Sequence, residues 1–142
     1  MKDGPAQPAE KLLAAIDRCF SADTVEEILS RLDAEDGEHG EWAAKQAATI
    51  RAKSPTSLKI ALRQMREGGN ASFEDCMRTE YRIVSRIPQG VDFYEGVRAV
   101  IIDKDNAPQW RPDRLEEVSN ADIDAYFAPL ADELDLDALD KA

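Results

Sequence analysis

Histidine and cysteine are scarce in this 142-residue sequence, which contains one histidine and two cysteines. His39, Cys19 and Cys76 are far apart along the chain, whereas structural zinc sites draw on closely spaced His and Cys ligands. The spacing therefore disfavours a metal site, and we expect both cysteines to be buried thiols in a reducing compartment. No nucleophile is placed near His39 by the sequence, so we predict no catalytic role for it.

Long apolar runs are also missing. No stretch approaches the ~20 residues needed to cross a bilayer, and the first ten residues contain no apolar signal core. We therefore predict a cytoplasmic protein with no membrane partner. A fragment would, however, have lost any signal that preceded it.

The familiar catalytic motifs are absent as well: a phosphate-binding glycine loop, H-E-x-x-H and G-x-S-x-G. No cofactor is predicted. Glu80 and Glu95 are the two carboxylates considered for acid–base chemistry, because they lie on the most apolar predicted helices. A helix cap or an ion pair is the favoured role for each, so no catalytic residue is assigned.

Charge is plentiful and uneven. The net charge is −11, yet residues 51–114 carry 12 basic and 9 acidic side chains between two acidic ends. Acidic ends disfavour binding to nucleic acid. The basic middle either pairs with the acidic ends or binds a small anion. Lys59, Arg63 and Arg66 share one helix face, and Arg78, Arg82 and Arg86 share another, where solvated ion pairs are the simpler interpretation.

Apolar residues recur at helical spacing along most of the chain, and no stretch alternates as a strand would. The sequence predicts an all-α domain of about seven helices over residues 9–130. Residues 1–8 are expected to be disordered and residues 131–142 to form a flexible acidic tail. Capping patterns mark the helix starts. The predicted N-caps are Asp23, Ser54, Ser72, Asp92 and Ser119.

Three local features add detail. Gly68-Gly69 is expected to end a helix with one glycine in the left-handed conformation. Gly96 interrupts a helix, which indicates a close crossing with another helix. Trp110 lies between two prolines and is expected to anchor an extended segment on the helical body.

The most specific string is D-F-Y-E-G-V-R-A-V-I-I-D-K-D-N-A-P-Q-W-R-P at residues 92–112. Together with S-P-T-S-L-K-I-A-L-R-Q at residues 54–64 and T-E-Y-R-I at residues 79–83, it resembles the C-terminal region of 3-hydroxyisobutyryl-CoA hydrolases. These enzymes belong to the enoyl-CoA hydratase/isomerase, or crotonase, superfamily. The resemblance extends over residues 15–130.

The resemblance implies a longer enzyme of valine degradation that hydrolyses an acyl-CoA thioester. Its α/β spiral core would hold the oxyanion hole and the catalytic Glu and Asp, none of which has a counterpart here. We therefore expect this chain to be inactive alone. The family's helical region packs on that core, helps subunits associate and closes one side of the CoA site, where Lys104 best fits a lysine near the CoA phosphates. A helix-end cation between two aspartates is the simpler alternative.

Two other hypotheses stay open. The chain could be a free-standing helical interaction module that covers an apolar surface of a partner. Such a module could also form a homo-oligomer. It could also be the C-terminal part of an enoyl-CoA hydratase or isomerase. The expected partner is accordingly the α/β core or another subunit, and acyl-CoA is expected to bind only in the full enzyme.

Overall fold

A computed structural model describes residues 8–138 of the chain. It confirms the all-α class: within that range there are seven α-helices and no strand. No helix among these residues is long and apolar enough to cross a membrane. The helices are α1 (Pro8–Phe20), α2 (Val25–Ala34), α3 (Gly40–Arg51), α4 (Pro55–Gly68), α5 (Phe73–Arg86), α6 (Asp92–Val97) and α7 (Asn120–Phe127).

The chain divides into two compact units, Met1–Lys53 and Ser54–Ala142. The predicted disorder of residues 1–8 lies almost wholly outside the described residues. The predicted domain boundary at residue 130 and the flexible tail stay predictions. Within the tail, the Glu133 carboxylate accepts hydrogen bonds from Arg82 of α5.

The first unit contains α1, α2 and α3. Its buried residues are mostly small or aliphatic: Ala15, Cys19, Ala22, Val25, Ile28, Leu29, Leu32, Ala43 and Ala47. The rings of Phe20 and Trp42 meet edge to face with centroids 6.4 Å apart. The predicted cap of α2 is wrong by one residue, because the Thr24 hydroxyl, rather than the Asp23 carboxylate, accepts from the amide of Glu27 at 3.1 Å.

The second unit packs α7 against α4 and α5. Its core consists of Ile60, Ile83, Val118, Ile123 and Phe127. Ser54, Ser72 and Ser119 each cap a helix as predicted, since each hydroxyl accepts from the amide three residues on. Ser119 and Asp122 form a complete capping box, in which two otherwise unpaired amides are satisfied reciprocally.

The basic faces of α4 and α5 turn towards α7 rather than to solvent alone. The Arg63 guanidinium lies 4.2 Å from the centre of the Phe127 ring. Arg86 donates to the carbonyls of Tyr126 and Ala128 at 2.9 and 2.6 Å. Cations at the C-terminal end of a helix satisfy carbonyls that lack partners within the helix. The ion-pair ladder expected on α5 is therefore in part a C-terminal cap for α7.

The predicted end of α4 is wrong in its geometry. Gly69 follows the helix with a φ of −62°, which is right-handed. Among the described glycines, the one with a positive φ is Gly37, at +72°. The glycine pair ends α4 without a left-handed residue.

Candidate functional site

Helix α6 runs directly into a π-helical segment, Arg98–Ile102, in which the Asp103 amide donates to the Arg98 carbonyl at 2.8 Å. π-Helical turns are rare and are often found at functional sites. The chain reverses at residues 103–106, where Lys104 and Asn106 have positive φ angles. Residues 107–112, here called the returning segment, then run back along α6.

Two carboxylates on α6 hold the returning segment by its backbone. Glu95 accepts from the Gln109 amide and Asp92 from the Arg111 amide, each at 2.9 Å. Between these contacts, the Trp110 indole covers Gly96: Cη2 lies 3.4 Å from the position that a β-carbon on Gly96 would occupy. The sequence predicted a helix crossing at Gly96, which is wrong, because an indole fills that space. The predicted anchoring role of Trp110 is confirmed.

Asp92 is the first residue of α6 and does not cap it, so that prediction is wrong too. One carboxylate oxygen is bound to the Arg111 amide, and the other accepts from the Ser54 hydroxyl at 2.6 Å. Ser54 is buried and also caps α4. Asp92 therefore fastens the start of α4, the start of α6 and the returning segment to one another.

Arg98 is the centre of the charged network. Its guanidinium donates to Glu95 at 2.6 and 2.9 Å, to Asp103 at 2.8 Å and to Asp105 at 2.7 Å. These hydrogen bonds lower the pKa of Glu95 to about 2, with help from the Gln109 amide, and raise the pKa of Arg98. Glu95 is thus fully ionised near neutral pH, which suits an ion pair better than a general acid.

Lys104 and Glu80, the other residues singled out in the sequence, are both exposed. Lys104 follows the π-helical segment with a left-handed φ of +56°, and Asn106 has a similar φ of +53°. Non-glycine residues seldom adopt this conformation. Glu80 accepts a hydrogen bond from Gln64 of α4 and does not take part in the Arg98 network. Sequence inspection missed Arg98, although its place between Glu95 and two aspartates was visible.

An open groove of about 560 Å³ runs beside this network. Its walls combine apolar and charged side chains: Val91, Tyr94, Glu95, Arg98, Gln109 and Arg111. Small-molecule sites commonly have volumes of this order and the same mixture of ring and polar groups.

Large apolar side chains are uncovered on α5, on and just before α6, and on the π-helical segment that follows it. We define the uncovered face as the following exposed residues: Phe73, Met77, Tyr81, Val84, Val91, Phe93, Tyr94, Val100, Ile101 and Ile102. Helical periodicity assigns Phe93, Val97, Val100 and Ile101 to the buried face of the sixth helix, and that prediction is wrong for Phe93, Val100 and Ile101. Phe93, for example, is 51% exposed and Ile101 is 65% exposed, whereas Ala99 between them is fully buried.

Acidification is expected to loosen the returning segment. Because the folded pKa of Glu95 is depressed from 4.5 to about 2, its contribution to stability is complete above pH 4.5 and is lost as the pH falls through 2. Fluorescence of Trp110, recorded in a Trp42→Phe background, should report the transition. In that background, Glu95→Gln should show the Trp110 fluorescence of the loosened segment already at neutral pH. Glu80→Gln should show the same acid transition as the Trp42→Phe protein. Identical acid transitions in all three proteins would contradict the assignment.

The comparison with known families covers nearly the whole chain. The family model described as "Enoyl-CoA hydratase/isomerase" matches residues 1–127. The chain belongs to the enoyl-CoA hydratase/isomerase family. The suspected superfamily is thereby confirmed.

Individual relatives place it more closely. The chain is 50% identical over 115 residues to the 3-hydroxyisobutyryl-CoA hydrolase, mitochondrial, of Gallus gallus, covering 81% of this chain and 29% of that one. It is 46% identical over 125 residues to the small ribosomal subunit protein mS47 of Arabidopsis thaliana, covering 84% and 30%. The chain therefore spans about a third of the length of the curated relatives it matches.

A solved structure agrees with the family assignment. The crystal structure of a carnitinyl-CoA dehydratase from Mycobacterium thermoresistibile matches with a TM-score of 0.79 at 37% identity, covering 94% of this chain and 38% of that one. The predicted cytoplasmic location is contradicted, because the hydrolase relative is named as mitochondrial. The absence of a signal from these 142 residues was a poor guide to location.

Proposed function

We propose that the chain is the C-terminal helical part of a 3-hydroxyisobutyryl-CoA hydrolase-like enzyme of valine degradation, in mitochondria. In this role it packs on an α/β core, takes part in subunit association and forms one side of the CoA site. It has no thioesterase activity alone.

The uncovered face is the observation that carries this proposal. The ten residues of this face all belong to the second unit, and eight of them are more than half exposed. Exposed apolar patches mark surfaces that bind another protein surface. α6 exposes Phe93 and Tyr94, and the π-helical segment after it exposes Val100, Ile101 and Ile102. A helical stretch that exposes this many apolar side chains is suited to burial inside a larger body. In relatives three times as long, the additional chain is the natural candidate to cover it.

Lys104 is the proposed contact to a CoA phosphate. It is exposed beside α6, whose residues line the groove. A lysine ammonium can bind a phosphate as a point charge. The groove between α6 and the returning segment would then border the same site. No catalytic residue is proposed within this chain.

A second candidate is a structural module that covers a partner without catalysis. The relative named as a small ribosomal subunit protein favours it, because its identity of 46% lies within the range of the hydrolase relatives. A third candidate, part of a hydratase or isomerase, is favoured by the likeness to the carnitinyl-CoA dehydratase. The hydrolase remains first because the Gallus gallus hydrolase is 50% identical to the chain, against 46% for the ribosomal protein.

The deciding experiment measures hydrolysis of 3-hydroxyisobutyryl-CoA. The chain is assayed alone, and then with the α/β core of a relative expressed separately and shown to be folded. We expect no activity from the chain alone and recovery on adding the core. Activity of the chain alone would overturn the proposal. No recovery, combined with tight binding to a non-catalytic partner, would favour the structural module.

A further inference from the structure

Lys104 lies between two aspartates in the sequence, and nearest-neighbour pairing would be expected to neutralise its charge. The structure shows a different arrangement. Asp103 and Asp105 both bind the same nitrogen of Arg98, Nη1, at 2.8 and 2.7 Å. Within residues 8–138, the Lys104 ammonium has no ion-pair partner.

The backbone supports the same arrangement. The Asp105 carboxylate also accepts from the Ala107 amide at 2.9 Å, and the Asn106 amide donates to the Ala99 carbonyl at 2.9 Å. These contacts hold the turn in which Lys104 and Asn106 are left-handed. The two aspartates are therefore tied to the α6 side of the turn while Lys104 remains exposed.

We propose that Arg98 is a positioning residue for Lys104: by binding Asp103 and Asp105, it keeps both carboxylates away from the lysine and leaves the ammonium available to a phosphate. This inference rests on the proposed place of the chain beside a CoA site. An ammonium already paired with a carboxylate would have to break that pair before it bound a phosphate, and Arg98 removes this competition in advance. A guanidinium suits the task, because its planar fork binds several carboxylate oxygens at once.

The test is a titration of the chain assembled with the separately expressed α/β core, using adenosine 3′,5′-bisphosphate, which represents the phosphate-bearing end of CoA. Low ionic strength is used because salt screens such contacts. Backbone amide NMR shifts of Lys104 and Asn106 report binding. We expect saturable shifts in the wild type and none in Lys104→Gln. The matched variant Lys45→Gln removes an exposed lysine from the other unit and should leave the titration unchanged.

Arg98→Gln should weaken the affinity about fivefold, the effect of one unit charge at close range in water. Adding Asp103→Asn and Asp105→Asn to that variant should restore binding. The same two substitutions should raise the affinity for the bisphosphate by a smaller factor when Arg98 is present. Unchanged affinity in Arg98→Gln, no restoration, or no shifts at Lys104 in the wild type would each overturn the inference.

Arg98→Lys provides a second test in case Arg98→Gln does not fold. It keeps the charge but loses the fork, so it should bind the bisphosphate more weakly than the wild type. Wild-type affinity in Arg98→Lys would show that charge alone matters, and would overturn a positioning role. If hydrolysis is recovered with the added core although the titration is flat, the proposed function stands and this inference alone fails.

Discussion

Replacing Phe127 with alanine is expected to lower the free energy of unfolding of the second unit by about 3–5 kcal/mol, the usual cost of truncating a buried phenylalanine. Phe127 is 7% exposed and lies in the core with Ile60, Ile83, Val118 and Ile123. Its ring also faces the Arg63 guanidinium at 4.2 Å, so the truncation removes a cation–π contact as well. Urea unfolding followed by circular dichroism measures the loss.

Phe73→Ala is the matched control for that prediction. It is the same substitution in the same unit, but Phe73 begins α5 and is 73% exposed. We expect a change within about 0.5 kcal/mol for the chain alone, as for most surface substitutions. Equal costs at the two positions would mean that α7 does not close the core of this unit.

The parts of the fold that sequence inspection predicted correctly depend on local signals. The caps at Ser54, Ser72 and Ser119 are recognisable because a hydroxyl bonds an amide only three residues away. Helical periodicity is similarly local, and all seven helices follow it. Asp23 and Asp92 failed as caps for different reasons. At the first, Thr24 competes one residue later; at the second, the carboxylate is bound by Ser54 and the Arg111 amide from distant parts of the chain.

The candidate site depends on contacts that no local pattern encodes. Gly96 and Trp110 were each noticeable in the sequence, but their contact requires the returning segment to run back along α6. The hydrogen bonds of Glu95 and Arg98 depend on the same return of the chain. Sequence periodicity also indicates which residues are apolar without indicating what covers them. This is why periodicity assigned Phe93, Val100 and Ile101 to a buried face, although all three are exposed in this chain.

Placing a charge on the uncovered face is expected to weaken assembly with the α/β core strongly. Ile101→Glu should weaken the complex at least about 100-fold, because a carboxylate buried against an apolar surface without a partner costs several kcal/mol. The stability of the chain alone should hardly change, since Ile101 is 65% exposed there. Analytical ultracentrifugation with the separately expressed core measures assembly, and thermal unfolding of the chain alone measures stability.

Leu13→Glu separates the effect of this surface from a general effect of added charge. Leu13 is exposed to a similar degree, 60%, but lies on α1 in the first unit, outside the uncovered face. That variant should assemble as the wild type does. Loss of assembly in both variants would indicate a simple charge effect, and loss in neither would show that the π-helical segment does not dock. If the chain alone dimerises and Ile101→Glu dissociates that dimer, the same surface is used for self-association. The structural module then becomes the better explanation of the chain's function.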